Sequence, residues 1–90
     1  MELDPIPTML EAVVVDARPE VRTLTVKDVM DHETWMVSLA EDARIFGPGK
    51  PEIRLEEVEI GTRVRISGTS RVELILRAEQ IEVLAGSRQP

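Results

Sequence analysis

The only histidine of the chain, His32, lies among three carboxylates, Asp28, Asp31 and Glu33. These four side chains offer hard oxygen ligands and one imidazole, a donor set that suits a divalent cation. Their spacing matches neither an EF-hand loop nor a zinc motif, and a polar hairpin tip explains such a cluster more simply than a metal site does. We therefore predict no metal site and no cofactor.

Catalytic residues are sparse as well. Nucleophilic catalysis needs a nucleophile beside a base that a third group orients. No Gly-x-Ser-x-Gly motif occurs, and the carboxylate pairs at 41–42 and 56–57 have the pattern of solvated faces. The sequence predicts a protein that is not an enzyme.

Three arginines are the residues best placed to bind an anionic ligand. Arg63 and Arg65 occupy outward positions of one predicted strand, and Arg77 lies in the next strand, in position to join them. Phe46, beside the loop at 47–51, is the aromatic ring expected nearest the surface. These four residues, with the outer face of the second and third strands, form a candidate face for single-stranded nucleic acid or an oligosaccharide.

Composition favours a different role for these arginines. The chain carries 17 acidic residues against 11 basic ones, and its formal net charge is −6. Binding to phosphate needs a surplus of Lys and Arg. We expect the arginines to pair instead with Glu73, Glu79 or Glu82 across a hairpin, at roughly 0.2–1 kcal/mol per pair. Nucleic acid and anionic membranes are therefore disfavoured partners.

Apolar residues outside the predicted core point to contact with another protein, or with a second copy of this chain. Val29 and Met30 are consecutive in a predicted loop, and Met36 faces away from the side of its strand that carries Trp35. Methionine suits adaptable apolar surfaces, and an exposed apolar patch often marks an interaction site. In the alternative interpretation, Val29 and Met30 fold back and plug the open end of a barrel.

The elements that position these residues are predicted to be strands. Trp35 and Phe46 are the only aromatic residues, so the core must consist of Val, Ile and Leu, which favour sheets. Alternating apolar and polar residues predict five strands, at 9–17, 21–28, 33–39, 62–67 and 74–84. Their dry faces should bury together Leu24, Val26, Trp35, Val37, Val64, Ile66 and Leu76.

The segment at 40–60 is predicted to be a long connection. Its Gly-Pro-Gly-Lys-Pro run at 47–51 indicates an exposed loop, and Leu55 and Val58 have the spacing of one helical turn. Gly61 then provides a position where positive φ costs little. The fourth strand follows and is expected to end at Gly68.

The last predicted strand changes phase. Its apolar residues Leu74, Leu76 and Ala78 are even-numbered, whereas Ile81 and Val83 are odd-numbered, so a period of two cannot place all five on one face. One extra residue at 79–80, a β-bulge, would bury all five and leave their charged neighbours in water.

The order of these elements, a three-strand meander, a long connection with one helical turn, and a hairpin, resembles the five-stranded Greek-key barrel of the OB fold. The motifs are similar to those of a family of small bacterial β-barrel domains of unknown function. They are Thr-Leu-Thr-Val at 23–26, Arg-Ile at 44–45, Leu-x-x-Val-x-x-Gly-x-x-Val-x-Ile-x-Gly at 55–68 and Ala-x-x-Ile-x-Val at 78–83. The resemblance spans roughly residues 10–84 and implies a fold, but no activity. Residues 28–32 depart from the family's Asp-Gly-type tip, which predicts a longer hairpin here.

Length and composition predict one domain, with an extended arm at 1–8, an OB-like barrel at 9–84 and a tail at 85–90. Pro5 and Pro7 place the first residues outside regular structure. This acidic start is unlike a signal peptide, and no apolar run is long enough to span a membrane. A cytoplasmic location is the default expectation, although a chain trimmed from a secreted protein would look the same.

Overall fold

The computed structural model describes residues 4–49 and 51–84. Its strands are β1 (Ile6–Arg18), β2 (Thr23–Asp28), β3 (Thr34–Phe46), β4 (Glu52–Ile53), β5 (Arg63–Val72) and β6 (Ile75–Val83). Two single turns of 3-10 helix, Pro19–Val21 and Leu55–Glu57, complete the elements of this part of the chain.

Five of the strands close into a barrel. They pair in the circuit β1–β2–β3–β6–β5, and β5 returns to β1, while β4 adds to the end of β3. The β3–β6 pairing is parallel, and the other four pairings of the circuit are antiparallel. The predicted all-β five-stranded barrel is therefore confirmed, including the short helical turn in the connection after β3.

The inward faces of the barrel strands form one core. Its largest fully buried side chains are Leu24, Ile66, Leu76, Ile81, Val14, Val26, Val37 and Val64. Six of the seven predicted core residues are buried, and the seventh, Trp35, is half-buried and packs against the same cluster. The structure therefore confirms which face of each strand was predicted to be buried. A register shift of one residue would have turned those apolar side chains toward solvent.

The connection into β5 closes one end of the core. The predicted helical turn is confirmed at Leu55–Glu57, where the Arg54 N–H donates to Glu57 Oε1 at 2.8 Å. Leu55 and Val58 are buried. Gly61 has φ +93, and its N–H donates to the Val14 carbonyl oxygen at 2.7 Å. The positive φ expected of Gly61 thus lets the chain turn and hydrogen-bond to β1.

Several predicted strand ends are wrong. β1 begins at Ile6 because Ile6–Thr8 already pair with β5. β3 continues to Phe46 because its second half pairs with β6 and β4, so the first third of the predicted connection at 40–60 belongs to β3. β5 does not end at Gly68 but continues to Val72, and Leu74 lies in the turn before β6 with φ +68.

The predicted bulge in the last strand is confirmed. Ser67 and Gly68 are consecutive on β5, but their partners on β6 are Gln80 and Ala78, so Glu79 is the extra residue. Beyond it Ile81 and Val83 are buried, and Gln80 is exposed. The bulge switches the inward-facing residues of β6 from even-numbered to odd-numbered positions. Both halves of the strand therefore cover the core.

Gly68 lies opposite this bulge, where the two backbones come very close. An ideal Cβ built on Gly68 would overlap the Arg77 carbonyl oxygen, at 1.9 Å, and would lie 2.9 Å from the Ala78 Cα. Both neighbours are backbone atoms of a paired strand, so neither can rotate away. The position therefore requires glycine for reasons of space rather than of φ.

Gly68→Ala is expected to lower the free energy of unfolding by about 2–3 kcal/mol, since one strand must move to admit the methyl group. Gly47→Ala is the matched control, because the atom nearest to its Cβ would be 3.4 Å away on the Ile53 side chain. That control should lose less than about 1 kcal/mol. Urea unfolding followed by Trp35 fluorescence measures both values, and equal stability of the two variants would contradict the close approach.

Candidate protein-contact surface

The loop between β2 and β3 presents one of the three predicted contact residues fully to solvent. Met30 is 85% exposed, whereas Val29 is half-buried and its N–H donates to the Glu11 carbonyl oxygen at 3.0 Å. Met30 does not fold back, so the alternative in which both residues plug the barrel is wrong for Met30. Val29 is therefore partly packed against the barrel, and only part of its side chain is available at the surface.

Asp28 organises this loop through three hydrogen bonds. Its N–H donates to the Glu33 carbonyl oxygen at 2.8 Å, and its own carbonyl oxygen accepts from the His32 N–H at 2.9 Å. Its side-chain Oδ1 accepts from the Met30 N–H at 2.7 Å, and Asp28 as a whole is buried. His32 takes φ +65, which the five-residue loop needs to return to β3. The longer hairpin predicted at 28–32 is thus built by an Asx turn.

The acidic residues beside His32 serve the same loop. Asp31 Oδ1 accepts from the Glu33 N–H at 3.0 Å, so Asp28 and Asp31 both use a carboxylate oxygen on the backbone. Within residues 4–49 and 51–84, no group of three or more His, Asp or Glu side chains is arranged to hold a metal ion.

Met36, the third predicted contact residue, lies away from the loop and belongs to a different cluster. Its Cα partner across the parallel pairing is Ile75, and Ile75 in turn pairs with Val72 on β5. The exposed fractions are 54% for Met36, 48% for Ile75 and 58% for Val72. We call these three neighbouring side chains the apolar row.

Sequence reasoning missed two members of the apolar row. Ile75 stands at an outward position between two residues assigned to the core, and an apolar residue at such a position was a usable signal. Val72 carried no such signal because it lies between the predicted strands at 62–67 and 74–84 and was assigned to neither. Only the pairing of β6 with both β3 and β5 brings these side chains beside Met36.

A groove of about 580 Å³ runs from the apolar row along the outside of β6. Its lining consists of Pro5, Ser38, Thr69, Arg71, Val72, Ile75, Arg77 and Glu79. Ser38, Arg77 and Thr69 are cross-strand neighbours on β3, β6 and β5, so they form the floor beside the apolar row. The groove combines an apolar end with charged walls.

The predicted ligand face of four residues does not come together as one positive surface. Arg65 Nη1 lies 3.7 Å from Glu82 Oε1, and Arg63 Nε lies 3.5 Å from Glu11 Oε2. The pairing of Arg65 with Glu82 was predicted, but Arg63 pairs with a β1 carboxylate rather than one of β6. Each exposed pair contributes about 0–1 kcal/mol to stability, but it places a negative charge beside each guanidinium.

Phe46 and Arg77 lie apart from each other on β3 and β6. Phe46 is half-buried at the end of β3, and its Cα partners are Glu52 on β4 and Glu82 on β6. Arg77 lines the groove near the opposite end of β6. A single ring between two carboxylate-bearing positions is a poor platform for stacking bases.

Comparison with known protein families, characterised proteins and solved structures finds no significant match to this chain. Neither of the short helices found in residues 4–49 and 51–84 has the length or apolar character that crossing a membrane requires. The candidate surface is therefore assigned from its own geometry.

Asp28→Ala is expected to lower the free energy of unfolding by about 1–2 kcal/mol, because it leaves the Met30 N–H without its acceptor. Asp28→Asn should retain most of the stability, since its side-chain oxygen still accepts. Asp31→Ala removes a similar but exposed hydrogen bond and should cost less than about 0.5 kcal/mol. Urea unfolding gives all three values, and a larger loss for Asp31→Ala would refute the role of Asp28.

Single-stranded DNA is expected to bind only weakly, with a Kd on the order of 10⁻⁴ M or poorer at physiological salt. The net charge is −6, and Arg63 and Arg65 already face carboxylates. Fluorescence anisotropy with a labelled oligonucleotide at two salt concentrations measures this affinity. A micromolar Kd that weakens with added salt would contradict the prediction.

Proposed function

We propose that this chain is a non-enzymatic protein-binding module whose contact surface is the apolar row of Met36, Val72 and Ile75. The observation that carries the proposal is the adjacency of three exposed apolar side chains on three neighbouring strands. Scattered exposed apolar residues are normal on soluble proteins, but a contiguous patch next to a groove is typical of an interaction site.

The arrangement of the strands supports an OB-like identity for the barrel. Its first three strands pair as a meander, its last two pair as a hairpin, and the helical turn lies in the connection between these two units. This is the architecture that the sequence resemblance to the OB fold implies. Membership in a bacterial family of such domains rests on the motifs at 23–26, 44–45, 55–68 and 78–83 alone.

The alternative function, binding of single-stranded nucleic acid or oligosaccharide, has less support. Two of its arginines are paired with carboxylates, and its aromatic ring is half-buried. Within the described residues, no charged partner occupies the surface of the apolar row. Protein contact is therefore the function that this surface favours.

Photo-crosslinking from the groove tests the proposal. With p-benzoylphenylalanine in place of Ser38, a lysate of cells that naturally express this chain should yield a discrete crosslinked protein. The same probe at Val21, an exposed apolar residue in the turn before β2, serves as the control for non-specific capture. Adding Ile75→Ser should abolish the crosslink from position 38, since it removes the centre of the apolar row.

Equal crosslinking from positions 38 and 21, or a crosslink that survives Ile75→Ser, would overturn the proposed contact surface. Circular dichroism of the Ile75→Ser variant shows whether the barrel is intact. We expect it to be intact, because Ile75 is about half exposed and its side chain points away from the core.

A further inference from the structure

Resting on the proposed function, we infer that the segment bound at the apolar row is a short extended acidic peptide. One of its apolar side chains contacts Ile75 and Val72, and a carboxylate about two residues away contacts Arg77 or Arg71. The apolar row alone does not define the chemical class of the partner, whereas the apolar row and the two arginines together do.

The shape of the groove supports an extended segment. It follows β6 from Ile75 through Arg77 to Glu79, a span of roughly 13 Å at the rise of a strand. About four extended residues fit along that length. The apolar end and the arginine are two positions apart on β6 and therefore lie on the same outward face.

The charges of the groove support a carboxylate. Arg18, Arg44, Arg63 and Arg65 each form an ion pair within residues 4–49 and 51–84, whereas Arg71 and Arg77 form neither an ion pair nor a side-chain hydrogen bond there. Both of these arginines line the groove. They are a local positive site on a chain of net charge −6, and a guanidinium binds a carboxylate by two parallel hydrogen bonds.

Two other occupants fit the observations less well. Nucleic acid would need bases to stack, and none of the residues lining the groove is aromatic. A stable dimer buries roughly 800 Å² per partner, whereas three half-exposed side chains present an area on the order of 300 Å². A short peptide matches the area and the charge.

Fluorescence anisotropy with defined peptides tests the inference on the whole chain. The probes are fluorescein-labelled Gly-Leu-Ser-Asp-Gly and its Asn and Lys counterparts, all with blocked C-termini. The Asp peptide should bind roughly five- to tenfold more tightly than the Asn peptide, as expected of one charge-assisted contact. Arg77→Glu combined with Arg71→Glu should reverse the preference, so that the Lys peptide binds best.

The control variant is Arg18→Glu, which changes an exposed arginine that does not line the groove and should keep the preference for Asp. Equal affinity for the Asp and Asn peptides, no binding of any peptide, or an unchanged preference in the double variant would overturn the acidic-peptide inference. Tighter binding of a labelled oligothymidylate that depends on the same two arginines would also overturn it. The crosslink from position 38 is an independent measurement, so it tests the contact surface even if the acidic-peptide inference fails.

Discussion

The contact of Gly68 with the backbone of β6 is the constraint on which the rest of the barrel depends. β6 pairs with β5 on one side and in parallel with β3 on the other, and both pairings change register at Glu79, the extra residue. The bulge brings the Arg77 carbonyl oxygen to where a side chain at position 68 would lie. Because the barrel closes through this bulge in β6, closure requires a glycine at position 68 of β5.

The same constraint sets the chemistry of the outer surface. Before the bulge, the outward residues of β6 are Ile75 and Arg77, and these line the groove. After it, the outward residues are Gln80 and Glu82, and Glu82 lies opposite Arg65 and forms an ion pair with it. A strand with no change of phase would have turned Glu82 into the core. The bulge therefore separates a neutralised face from one where arginines remain available to a ligand.

The facing of side chains could be predicted from the sequence, because the period of two is a local property of each strand. Leu24, Val64 and Leu76 were placed inward correctly for this reason, and the bulge followed from a break in that period. Strand ends could not be predicted in the same way. Glu41 and Asp42 interrupt the apolar pattern of β3, but β3 continues past them because β6 and β4 pair with its second half.

The candidate surface was predictable only in part, for the same physical reason. The sequence indicated that Met36 faces outward, since it alternates with Trp35 and Val37. It did not indicate that Ile75 lies beside Met36, because a parallel pairing across nearly 40 positions is a property of the closed barrel. The role of the arginines was likewise set by pairing: Arg63 lies next to Glu11 on β1, a neighbour that the hairpin alone does not supply.

The position of the apolar row within the sheet limits how a partner binds to it. A partner that added a strand would need free backbone N–H and C=O groups, as edge strands have. β6 is paired on both sides along the groove, with β3 and with β5, so its ladder already uses those groups. Under the proposed function, recognition would therefore come from side chains: Ile75, Val72 and Met36 would supply apolar contact, and Arg71 and Arg77 would orient an acidic segment. Such a surface offers no template for aggregation, because exposed apolar residues on a strand that is paired on both sides cannot recruit further strands through the backbone.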